Sequence, residues 1–127
     1  MKLGYVIFYV EDVAKTLSFY ESAFNLKTSY LDESNDYGQL DTGSTTLAFS
    51  SLRLMTELNK NPGYVNKRSP CCEIAFTTSN VELALQKAVD SGAELVQGVE
   101  HTSWGQTTAY VNDINGFLIE LCTAVEA

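Results

Sequence analysis

Glu73 and Glu120 each interrupt a run of apolar residues. Glu120 lies inside Phe117-Leu118-Ile119-Glu120-Leu121-Cys122, and Glu73 opens Glu73-Ile74-Ala75-Phe76. A carboxylate in such company is costly to bury unless a charge, a hydrogen bond or a proton compensates it. Two of them suit three chemistries: anionic contact with a positively charged ligand, proton transfer between base and acid, or weak capture of a hard divalent cation that keeps waters in its shell. Tyr5, Tyr37, Trp104 and Tyr110 add flat faces for stacking or cation–π attraction. Gln39 and Gln106 add hydrogen-bonding amides that would orient a bound molecule.

The elements that must carry these residues occur twice. Residues 5–13, YVIFYVEDV, can be laid on 73–81, EIAFTTSNV. Val6 then meets Ile74, Phe8 meets Phe76, Val13 meets Val81 and Leu17 meets Leu85. YGQ at 37–39 is laid on WGQ at 104–106, and GSTTLAF at 43–49 resembles NGFLIEL at 115–121 in pattern. A repeat of half the chain implies two supersecondary units packed by pseudo-symmetry, with a crevice between them. The copies differ where chemistry is expected: Tyr5 becomes Glu73, and Ala48 becomes Glu120.

Each copy reads as strand, helix, strand, strand, strand. In the first, residues 4–10 alternate as a strand, Asp12 caps a helix, and Val13, Leu17, Tyr20 and Phe24 recur at helical spacing. Strands at 27–33, 37–42 and 44–51 follow. In the second, 71–77 is a strand. Ser79 with Glu82, or Asn80, caps a helix carrying Val81, Leu85 and Ala88, which Gly92 ends. Strands at 94–100, 105–112 and 116–122 complete it. Between the copies, 52–70 holds a short leucine-bearing helix and then a loop broken at Asn61-Pro62-Gly63, with Lys60, Lys67 and Arg68 as a basic patch. This is an α+β chain: two βαβββ modules, at about 1–51 and 71–126, joined by a linker at about 52–70 within one domain of 1–127.

Alternation along strands assigns faces. Val6, Phe8, Val10, Leu47, Phe49, Ile74, Phe76, Ile119 and Leu121 face the helices. Tyr5, Ile7, Tyr9, Ala48, Glu73, Glu120 and Cys122 face the other way, with Gln39, Gln106, Thr108 and Tyr110. An ion pair with a basic residue of the same chain, Arg53 for example, is the competing fate for the glutamates.

Composition narrows the function classes. The chain of 127 residues is 45% apolar, enough for a real core, and carries 16 acidic against 8 basic residues for a net charge of −8. That balance disfavours nucleic acid, whose binding rests on cationic contacts to phosphate, and favours cations if the charge lines a cleft. No run approaches the roughly 20 apolar residues of a membrane span. The opening apolar run is short and ends in Glu11-Asp12 with no small-residue cleavage site. Cys71, Cys72 and Cys122, an odd set with an adjacent pair, form no disulfide framework. A reduced cytoplasmic setting is expected, with Cys122 a buried structural thiol. His101 reads as a rim residue.

The stretches YVIFYVEDVAKTLSFYESAFNLK, CCEIAFTTSNVELALQKAVDSGAE and WGQTTAYVNDINGFLIELCT resemble the vicinal oxygen chelate superfamily, the glyoxalase, bleomycin-resistance and extradiol dioxygenase group. The resemblance spans essentially the whole chain. It implies paired modules whose curved mixed sheets enclose a cleft, and a homodimer, sometimes with modules exchanged. In metal-dependent members, the first and last strands of each module bring one ligand apiece, which here are Tyr5, Ala48, Glu73 and Glu120. Only the two glutamates suit a divalent ion, and dioxygenase chemistry would need two histidines, whereas the single one, His101, lies outside these four places. The first expectation is therefore a metal-free, cofactor-free binding protein for a cationic small molecule such as an antibiotic. Its contacts would be Tyr5, Ile7, Tyr37, Gln39, Ala48, Glu73, Trp104, Gln106, Tyr110 and Glu120. The alternative is a glyoxalase-like lyase or isomerase in which Glu73 and Glu120 hold a divalent metal weakly or move the proton.

Overall fold

The computed structural model describes residues 1–125. The chain divides into two compact units, Met1–Tyr64 and Val65–Ala127. The boundary falls inside the stretch expected to link the modules. Among the described residues, no helix is long and apolar enough to cross a membrane.

The first unit runs β1 (Tyr5–Val10), α1 (Val13–Phe24), β2 (Lys27–Leu31), β3 (Tyr37–Asp41), β4 (Thr46–Ser51) and α2 (Leu52–Glu57). Its sheet has the order β1-β4-β3-β2. β1 and β4 are parallel, and the other pairs are antiparallel. Asp12 caps α1 by accepting from the Lys15 backbone N–H at 3.0 Å. The helix ends at Asn25, which adopts the left-handed conformation and donates its N–H to the Glu21 carbonyl. The expected stripe is buried at Val13, Leu17 and Tyr20, and Tyr20 packs on Phe49 with ring centroids 5.0 Å apart. Each such side chain contributes about 1.5–3 kcal/mol by leaving water.

The second unit repeats the plan: β5 (Glu73–Thr77), α3 (Val81–Asp90), β6 (Glu94–His101), β7 (Thr107–Asn112) and β8 (Leu118–Cys122), with sheet order β5-β8-β7-β6. The duplication reaches single pairs. Tyr5 faces Thr46 as Glu73 faces Leu118, and Ile7 faces Ala48 as Ala75 faces Glu120. Both units also carry a register break at the same place, between Thr28 and Tyr30 in β2 and between Leu95 and Gln97 in β6.

Four expectations need correction. YGQ and WGQ are not equivalent: Tyr37 to Gln39 lie within β3, whereas Trp104 to Gln106 form the turn before β7. By register the counterpart of Gln39, paired with Ala48, is Tyr110, paired with Glu120. The strand expected at 71–77 begins only at Glu73, because β8 begins at Leu118 and nothing precedes it in the ladder to pair with Cys71 or Cys72. Asn80, not Ser79, caps α3, accepting from the Leu83 N–H at 3.1 Å. Finally, the helices do not cover the whole apolar face. α1 packs on β2, β3 and β4, and α3 on β6, β7 and β8. The edge strands β1 and β5 lie beyond them, so Val6 is 39% exposed, and Ile74 and Phe76 are only half-buried.

Candidate functional site

The residues expected to bind fall on matching faces of the two sheets. In the first unit Tyr5 and Ile7 are exposed on β1, and Ala48 beside Ile7 is fully buried and adds no surface. Tyr37 and Gln39 project from β3, where the Gln39 Nε2 donates to the Tyr37 hydroxyl at 2.8 Å. The face is rich in aromatic rings, and Tyr30 extends it, 6.3 Å from Tyr37 between ring centroids.

The same face of the second unit is acidic. Tyr110 and Glu120 are directly opposite one another across β7 and β8, and the Tyr110 hydroxyl donates to Glu120 Oε2 at 2.5 Å. This short, charge-assisted bond answers how a carboxylate is tolerated mid-strand. The Tyr110 hydroxyl is held well above the ordinary phenol value, first by that bond, then by burial and by the charges of Glu120 and Glu73. Cys122, the next residue of β8 on this face, is buried. Burial pushes its thiol up, and the Glu120 charge, a hydrogen bond with Glu120 and the Glu73 charge add to the effect. Glu73, Tyr110, Glu120 and Cys122 therefore form one electrostatic group. Glu73 is exposed and Glu120 half-buried.

Among the described residues, neither glutamate forms an ion pair, so no cation of the chain neutralises this group. Arg53, the expected competitor, is spent within the first unit. It pairs with Asp36 and with Glu57 at 3.0 Å, and Asp36 also accepts from the Ser51 hydroxyl at 2.7 Å. Lys67 pairs with Glu94 at 3.0 Å. That hydrogen bond, followed by one from Asn112 and by the Lys67 charge, holds the Glu94 carboxyl below its ordinary value.

Trp104 and Gln106 belong to the turn between β6 and β7. The Trp104 indole, 68% exposed, donates to Gln106 Oε1 at 2.6 Å, while Gln106 Nε2 donates to the Thr123 carbonyl at 2.8 Å. Gln106 thus fixes Trp104 and ties the turn to the end of β8. His101 is exposed, with Nδ1 3.0 Å from the Thr107 hydroxyl. A groove of about 400 Å³, lined by Thr77, Thr78, Ser79, Thr123 and Ala124, lies past the carboxyl ends of β5 and β8. It does not include either glutamate, although Thr77 shares the face of Glu73. Sequence reasoning missed this groove, since neutral hydroxyl residues at strand ends read as turns. It also missed the bond from Tyr110 to Glu120, although the turn at 113–116 aligns the two across the hairpin.

The donor set that the resemblance implies for a metal is incomplete. Of the four ligand positions implied by resemblance, Ala48 has no donor atom, and one Glu120 oxygen is already engaged by Tyr110. Among the described residues, no three or more His, Cys, Asp or Glu side chains converge to hold an ion.

Comparison with known proteins agrees with this architecture. The profile of a family described as glyoxalase-like domain matches residues 3–126. No curated protein matches the chain. Among solved structures, a glyoxalase-related enzyme from Fulvimarina pelagi superposes with a TM-score of 0.82 at 16% identity, over 98% of this chain and 88% of that one. A glyoxalase/bleomycin resistance protein/dioxygenase family enzyme from Burkholderia phytofirmans PsJN gives 0.80 at 19% identity, over 99% and 100%. TioX from Micromonospora sp. ML1 gives 0.74 at 17% identity, over 97% and 98%. Likeness at these identities speaks to fold alone.

Proposed function

The chain belongs to the glyoxalase-like domain family of the vicinal oxygen chelate superfamily, and from that premise we propose that it is a small-molecule binding protein whose acidic face on the second unit takes a cationic, aromatic ligand without a resident metal. The observation that carries this reading is the Glu120 carboxylate. It is half-buried on an otherwise apolar strand and steadied by Tyr110, but matched by no positive charge among the described residues. The exposed carboxylate of Glu73 doubles the attraction, and a ligand cation supplies the missing charge. Trp104, held out by Gln106, offers a flat face for the ligand's ring. A metal-dependent lyase or isomerase ranks second because its donor positions are incomplete.

The test is thermal unfolding with and without N-methylquinolinium and related planar cations. Binding raises the melting temperature by linkage, by about 2.7 kcal/mol of stability at a hundredfold excess over Kd. Glu73→Gln and Glu120→Gln keep the side-chain shape, and the amide introduced by the second retains an acceptor for Tyr110. Both should abolish the rise with an unchanged circular dichroism spectrum. A rise that survives both substitutions would remove the carboxylates from the site. Elemental analysis of the purified protein should find less than one equivalent of nickel, zinc or manganese, and a full equivalent would overturn the metal-free reading.

A further inference from the structure

The adjacent cysteines are not absorbed by this function. Cys71 and Cys72 precede β5, and both are exposed, while Cys122 is buried. Burial, the Cys71 charge and a hydrogen bond with Cys71 push the Cys72 thiol up. Neither residue belongs to a strand, so the backbone at this point is not pinned by a ladder.

We infer that Cys71 and Cys72 are a reversible thiol–disulfide couple, closing an eight-membered ring on reaction with a small-molecule disulfide such as oxidised glutathione. The steps balance. One cysteine of the pair, as thiolate, attacks one sulfur of the oxidant, forming a mixed disulfide and expelling one thiolate. Its neighbour loses its proton to solvent and attacks the sulfur of the first, closing the ring and expelling the second thiolate. The protein loses two hydrogens, and the oxidant is reduced to two thiols. Geometry sets the poise. Neighbouring Cα atoms sit about 3.8 Å apart, whereas a disulfide ordinarily spans about 4.4–6.8 Å. The ring is strained, and a strained, exposed disulfide is an easily reduced one. The couple therefore rests as a dithiol under reducing conditions and closes only when disulfide accumulates.

The intact protein is equilibrated in glutathione buffers of graded ratio, alkylated in denaturant and digested with trypsin. Arg68 and Lys87 bound a peptide, 69–87, that contains both thiols and excludes Cys122. In oxidised buffer this peptide should lose two hydrogens and escape alkylation, and it should recover both alkyl groups after return to reduced glutathione. Cys122 should be alkylated throughout. Cys72→Ser and Cys71→Ser should each trap a lasting glutathione adduct on the remaining sulfur, because neither can close the ring. The inference fails if peptide 69–87 stays doubly alkylated in oxidised buffer, is linked to a second chain, or carries glutathione on both sulfurs.

Discussion

Tyr110 is where a single atom should matter most. Phenylalanine there keeps the ring and removes the hydroxyl that steadies Glu120. A hydrogen bond to a charged group contributes about 1.5–3 kcal/mol, and partial exposure of this pair places the loss near the lower end. The alkaline limb of stability provides the sharper signature. Because the folded protein holds the Tyr110 proton more tightly than the unfolded chain, the associated stability is complete below the ordinary tyrosine value of about 10. It is lost as pH rises through the higher folded value. Wild type should therefore lose stability more steeply than Tyr110→Phe above about pH 10, as read from urea midpoints across that range. Parallel curves would show that the bond does not bias the proton.

At the scale of elements, the seating of α1 on β3 rests on a missing methyl group. A Cβ at Gly38 would meet Leu17 Cδ1 at 2.5 Å and Val13 Cγ1 at 3.1 Å. The matching place under α3 is Ala109, fully buried, so a methyl group is accommodated there. Gly38→Ala should cost about 1–3 kcal/mol through overpacking, seen as a lower urea midpoint with an unchanged slope. No loss would mean that Leu17 swings aside freely. The elements themselves were legible because period-2 and period-3.6 patterns, with Asp12 and Asn80 as caps, are local signals. What escaped was lateral: which strands lie at an edge, and which residue faces which. The YGQ and WGQ match misled because three similar letters outweighed the register of the strands around them. Glu73 and Glu120 were found as misfits in apolar runs, whereas the Tyr110 contact needed the hairpin pairing as well.

For the whole molecule, a net charge of −8 spreads a field that draws cations before any contact forms. Affinity for a planar cation should fall as sodium chloride rises from about 0.01 to 0.15 M, where the screening length shrinks from about 30 to 8 Å. Titration calorimetry at both salts measures this, and a salt-independent Kd would mean that the ring, not the charge, governs capture. The parallel pairing of first and last strands in each unit has its own consequence, for biosynthesis. Tyr5 must wait for Thr46, and Glu73 for Leu118. At about 5–20 residues per second the nascent chain presents YVIFYV for roughly 2–8 s before its ladder partner leaves the ribosome. Throughout that interval a sticky, bare-edged segment is on offer to any neighbouring polypeptide, so the yield of native protein in the cell should hang on how well that stretch is sheltered during translation.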